Sequence, residues 1–128
     1  MVFVEGKPIY VQIAERLCDE ILSSSYKEGE RVPGVREYSS LLEVNVNTTV
    51  KAYDLLAQRD IIFTKRGMGY FVAEGAPEVI RKERKKQFTH LFLPQMFQQM
   101  NVLGLTMKDI EEEWQEYLKN KALNNETI

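Results

Sequence analysis

Val32-Pro33-Gly34-Val35-Arg36-Glu37, then Val44-Asn45-Val46-Asn47-Thr48-Thr49-Val50-Lys51-Ala52-Tyr53, then Thr64-Lys65-Arg66-Gly67-Met68-Gly69-Tyr70-Phe71-Val72 follow one another through the first half of the chain. Pro33 holds Val32 extended and delays any helix to Gly34. Val35, Tyr38, Leu41 and Leu42 then share one face of a two-turn helix over 35–42. After the short link 43–45, Asn45 or Asn47 caps a second helix running to about Arg59. Val50, Tyr53, Leu55, Leu56 and Ala57 supply its apolar contacts, Ala52 permits close helix approach, and Asn47, Thr48 and Lys51 form its polar side. Strand patterns at 61–64 and 70–73 are joined by Lys65-Arg66-Gly67-Met68-Gly69, where two glycines permit positive φ. Two short helices and then strand-turn-strand is the order of a helix-turn-helix with a β-wing.

Toward the N-terminus, Pro8 suits the first turn of a helix from Ile9 to about Ser24. Ile9, Ile13, Leu17 and Ile21 make one row, and Tyr10, Ala14, Cys18 and Leu22 a second, together a wide core-facing stripe. Cys18 lies in that stripe and reads as a small core residue. Residues 26–30 turn around Gly29.

Toward the C-terminus, 74–77 is a linker and helix start, and a long helical pattern runs from Glu78 to about Met100. Pro94 predicts a kink or break in it. Gly104 suits a helix end, and Thr106 with Asp109 suits a capping box for a final helix. Residues 120–128 are expected to fray. Phe88, Phe92, Met96, Phe97, Met100, Trp114 and Tyr117 are too many large side chains for a two-helix hairpin to bury alone. A second copy is the expected cover, giving a twofold homodimer. The basic cluster Arg81, Lys82, Arg84, Lys85 and Lys86 could lie along phosphate; a solvated helix is the preferred reading. The expected fold is mainly α with a small β-hairpin: an N-terminal winged helix-turn-helix over 1–75 and a helical dimerisation tail over 76–128.

Composition bounds the rest. The chain has 128 residues, one cysteine and a net charge of -2, from 17 Lys plus Arg against 19 Asp plus Glu. No internal disulfide is available, a reducing cytoplasm fits, and no signal pattern or membrane-length apolar run is present. The near-neutral balance means cations must be sorted onto one face to hold duplex DNA. His90 has no histidine or cysteine at metal spacing, and no nucleophile elbow or phosphate loop occurs, so neither an enzyme nor a cofactor is expected. The Met and aromatic cluster leaves room for a small apolar effector, although a dimer core explains it with less.

The stretch 8–72 resembles the winged-helix domain of the GntR family of bacterial transcription regulators. The resemblance is carried by Pro8-Ile9-Tyr10-x-Gln12-Ile13, Gly29-x-Arg31-Val32-Pro33-Gly34-Val35-Arg36-Glu37, Val44-Asn45-x-Asn47-Thr48, Ala52-Tyr53 and Arg66-Gly67-x-Gly69-x-Phe71-Val72. It implies that Arg36 contacts a base or phosphate and that Asn47, Thr48 and Lys51 lie on the recognition helix. It also implies that Arg66 and Gly67 stand at the wing tip; Lys65 is the second cation there. The short tail is similar to the YtrA-type branch, whose tails dimerise and whose members often control transporter genes. Gly34, Val46 and Met68 depart from the family pattern, where serine, arginine or proline, and a cation are frequent. A repressor-type homodimer on a palindromic operator is the reading that results. A winged-helix protein-interaction module is the alternative, for which the acidic balance and Val46 argue.

Overall fold

The computed structural model describes residues 2–126. The elements are α1 (Ile9–Leu22), α2 (Val35–Leu42), α3 (Val46–Gln58), β1 (Ile62–Lys65), β2 (Gly69–Val72), α4 (Ala76–Gln87), a π-helical turn (Phe88–Phe92), α5 (Leu93–Leu103) and α6 (Met107–Glu126). They fall into two compact units, Met1–Arg84 and Lys85–Ile128.

The first unit closes around one core. Ile13 and Leu17 of α1, Tyr38 of α2, Leu56 of α3, Val72 of β2 and Ile80 of α4 are all buried in it. Side chains of that size contribute roughly 1.5–3 kcal/mol each when removed from water. Ala76 and Ile80 are core residues, so the opening of α4 belongs to this unit. Arg81, Lys82, Lys85 and Lys86 of the basic cluster are exposed, whereas Arg84 is half-buried and engaged. It reaches Asp19 Oδ1 at 2.6 Å and donates to Glu15 O at 3.1 Å, tying α4 to α1.

Each of the first three helices ends in a left-handed residue other than glycine: Ser24, Glu43 and Asp60. The following amide then reaches back over the last turn, Ser25 to Glu20 O, Val44 to Ser39 O and Ile61 to Leu56 O. This stops α1 at Leu22, short of Ser24. Ile9, Leu41 and Val50, expected on core faces, are exposed. In α3 the inward position beside Val50 is taken by Thr49, fully buried against Ser39 of α2, with the two hydroxyl oxygens 2.8 Å apart.

The wing is antiparallel, in the register Ile62↔Val72, Phe63↔Phe71, Thr64↔Tyr70 and Lys65↔Gly69. Residues 29–32 run along its outer side: Gly29 N donates to Val72 O, Val72 N to Glu30 O and Val32 N to Tyr70 O. The turn expected around Gly29 thus continues into an edge that anchors the wing. Tyr53 joins these layers. Its ring lies 6.0 Å from Tyr38 and edge-on to Tyr70 at 4.9 Å, and its hydroxyl donates to Pro33 O at 2.6 Å.

In the second unit, the kink or break expected at Pro94 takes the form of the π-helical turn just ahead of it. The backbone is right-handed helical at Gln87, Phe92 and Leu93, and Leu93 N donates to Phe88 O, five residues back. Widening the turn ahead of the proline makes room for its ring and absorbs the missing donor. Gly104 ends α5 at φ 72°. Thr106 and Asp109 form the reciprocal cap of α6, Thr106 N to Asp109 Oδ2 at 2.8 Å and Asp109 N to Thr106 Oγ1 at 3.4 Å. Of the stretch from Asn120 expected to fray, the residues to Glu126 are helical, as α6 runs that far; Thr127 and Ile128 lie outside the described residues.

Candidate nucleic-acid interface

Helix α3 starts on a satisfied cap. Asn45 Oδ1 accepts from Asn47 N at 2.8 Å, and Asn45 O accepts from Thr48 N and Thr49 N. Most of the amides that make a helix start attractive to phosphate are therefore already spent here. Reaching a ligand falls to side chains. Val46, Asn47, Val50 and Lys51 are exposed, Thr48 is half-buried, and Thr49, Ala52, Tyr53 and Leu56 face the core. Lys51 extends over the Tyr10 ring of α1, its Nζ 4.2 Å from the centroid, so its charge is held against α1.

Arg36 is exposed in the first turn of α2, and Arg66 and Gly67 are exposed at the wing turn. Among the described residues neither arginine pairs with a carboxylate. The turn closes by Met68 N donating to Lys65 O at 2.9 Å, with Gly67 at φ 74° in the third position. Lys65 does not stand alone at the tip. Its Nζ lies 4.4 Å from the Phe71 centroid and 5.8 Å from that of Phe63, over two stacked rings.

Arg31 is a residue whose role sequence reasoning missed. Its Nε donates to Met68 O at 3.1 Å across the wing turn, and a Cβ on Gly69 would meet that Nε at 3.1 Å. A Cβ on Gly34 would stand 3.9 Å from its Nη2, so the same guanidinium lies beside the entry to α2. It was legible only as part of a motif, since its partner is a backbone oxygen 37 positions away. Gln12 was missed in the same way: its side chain clamps residues 4–7 through Val4 N, Val4 O and Lys7 O, each at 2.9 Å.

The Tyr38 and Tyr53 hydroxyls and the Cys18 thiol are structural. Burial pushes the Cys18 thiol up to about 11, which leaves it unreactive at neutral pH. Burial, and then the bond to Glu20, raise Tyr38 well above the usual phenol range. Tyr53 is raised chiefly by burial too. Among the described residues, no group of three His, Cys, Asp or Glu side chains is placed to hold a metal ion. No described helix is long and apolar enough to cross a membrane.

In the second unit Phe88, Phe92, Phe97, Trp114 and Tyr117 are 47% to 57% exposed. Phe88 stacks on Phe92 at 5.0 Å, and Trp114 on Tyr117 at 5.7 Å. Met96 is half-buried. Met100, expected at a dimer contact, is only 7% exposed and packs within the chain.

A helix-turn-helix whose second helix presents a short polar start, followed by a cation-bearing wing, defines a winged-helix DNA-binding regulator. A sequence model described as bacterial regulatory proteins, gntR family, matches residues 9–72, and the chain belongs to that family. It is 36% identical over 110 residues to the uncharacterized HTH-type transcriptional regulator YhcF of Bacillus subtilis, covering 86% of this chain and 89% of that protein. It is 31% identical over 105 residues to the HTH-type transcriptional repressor YtrA of the same organism, covering 82% and 80%. Both matches are longer than the first unit, so the likeness includes the tail. Among solved structures, a putative GntR-family regulator from Bacteroides thetaiotaomicron superposes with a TM-score of 0.79 at 41% identity, covering 88% of this chain and 98% of that one. The chain is a transcriptional regulator with a GntR-type DNA-binding domain.

Proposed function

We propose that the protein is a repressor that binds a palindromic operator as a homodimer, with its own promoter and transporter genes as the first targets to test. The observation that carries the dimer is the half-exposed aromatic surface of the tail, on a chain whose other unit closes its own core. A twofold pair of winged helices matches two half-sites related by the same symmetry. In each copy Asn47 and Thr48 meet base edges, Arg36 approaches base or phosphate, Lys51 lies near the DNA backbone, and Lys65, Arg66 and Gly67 approach the minor groove beside them. The similarity to a repressor supports the sign of regulation.

Fluorescence anisotropy on the DNA upstream of the protein's own gene, against an unrelated duplex over a salt series, tests this. Preference for the upstream DNA is expected, with affinity falling steeply as salt rises. Arg66→Ala should lower the log–log salt slope by about 1. Equal, weak binding to both duplexes at every salt concentration would overturn the reading.

A further inference from the structure

Two valines stand on the outer face of α3 where side chains that hydrogen-bond would be expected. Val46 is 39% exposed and Val50 is 36% exposed, one turn apart on the same face. Beside them runs a second row of the same spacing, Asn47 and Lys51, both exposed. The buried side of the helix is already filled by Thr49, Ala52, Tyr53 and Leu56. Val46–Gln58 contains no arginine, and its single cation is drawn over Tyr10. The helix therefore lacks the side chain that most often reads guanine through O6 and N7.

We propose that Val46 and Val50 read thymine methyl groups in the major groove, so that each operator half-site presents thymines to this helix. The inference rests on the DNA-binding mode proposed above. An A·T pair offers what these two rows can use. Its adenine presents N7 and N6 to an amide such as Asn47, and its thymine presents a C5-methyl to an apolar side chain. The duplex is the occupant that fits, because the unpaired cations Arg36 and Arg66 stand on the neighbouring elements of the same winged helix. A thymine methyl pressed against a valine loses about the water contact of one methylene, which corresponds to roughly threefold to fivefold in affinity.

The test uses the full-length protein and a random duplex pool, selected for binding. Each thymine of the enriched half-site is then replaced by deoxyuridine, which removes the methyl and keeps the pairing. Wild type should lose about threefold to fivefold at one or two positions. Val46→Ala or Val50→Ala should weaken that sensitivity at one position each, with thermal unfolding unchanged because both side chains lie outside the core. Val46→Arg should move the selected base at its position toward guanine. An enriched half-site indifferent to every uracil would overturn the inference and leave the DNA-binding reading intact. So would a uracil penalty that is undiminished in both alanine variants. If no duplex is enriched, both readings fall.

Discussion

The two units solve the burial problem differently. The first brings three helices, the wing and the start of α4 onto one core, and its aromatic residues Tyr38 and Tyr53 are fully buried with their hydroxyls bonded. The second is the more helical of the two, yet among its described residues Met100 alone is buried, and its aromatics remain about half open. Helical content is therefore no guide to self-sufficiency. A domain is finished when its large side chains have neighbours, and a half-interface can be recognised by aromatics that stack on each other yet stay exposed. The first unit should unfold independently of protein concentration, and the tail should not.

That contrast is broken most severely from the inside of the first unit. Leu56 is fully buried among α1, α2 and α3. Leu56→Ala leaves a cavity and is expected to cost roughly 3 kcal/mol, read as a lower denaturant midpoint. The next largest effect lies in the tail. Phe92→Glu with Trp114→Glu adds charge to the exposed aromatic surface without touching the core. It should raise the dimer dissociation constant about a hundredfold or more in sedimentation equilibrium, in line with the loss of central aromatic anchors. Operator affinity should fall with it, while the first unit keeps its denaturant midpoint. A double variant that remains dimeric would show that these aromatics face something other than a second copy.

A smaller effect separates the wing from the body of the first unit. Gly69 is at φ 102° with Arg31 against it. Gly69→Ala forces a side chain into a disfavoured backbone region and onto the guanidinium, at a cost of about 1–3 kcal/mol. We expect operator affinity to fall about tenfold. Arg31→Ala should cause a similar drop, and the two should add only in part, because both release Met68 O while the backbone strain at Gly69 does not depend on Arg31. Full additivity in a double-mutant cycle would mean that the two changes act on the wing separately.

The helices, the wing and the tail were legible because their signals are local: the apolar rows of α1, the caps at Asn45 or Asn47 and at Thr106, and the glycines of the wing turn. The errors arose where tertiary partners decide. Val50 and Thr49 look interchangeable by periodicity, and only Ser39 on α2 selects threonine for the inside. Leu41 completes an apolar face on paper but is 65% exposed. Ser24, Glu43 and Asp60 end their helices without the glycine that announces such a stop. Pro94 read as a kink or break, and the form it takes, a π-turn, leaves no mark in composition. At the interface, the exposure of Arg36 and Arg66 followed from their positions. Engagement of Lys51 with Tyr10, and of Lys65 with Phe71, depended on pairings no single helix or strand shows.

The smallest predicted effect reports on the first unit alone, since its core holds a buried ionisable thiol and the buried part of the tail is a methionine. Cys18 is raised from 9.0 to about 11, first by burial, with Arg84 pulling the other way. An acid whose folded value is raised stabilises the fold below its unfolded value and loses that contribution as pH rises toward the folded one. The window is therefore pH 9 to 11. At pH 9.5 the loss relative to pH 7 should be somewhat under 1 kcal/mol, from the 1.36 kcal/mol carried by each unit of difference. Cys18→Ala removes this thiol, so its denaturant midpoint should fall less between pH 7 and 9.5 than that of wild type. Tyr38 and Tyr53 are raised in both proteins and cancel from the difference. Parallel pH curves for the two proteins would mean that the thiol ionises as readily folded as unfolded, and that the core around α1 admits water.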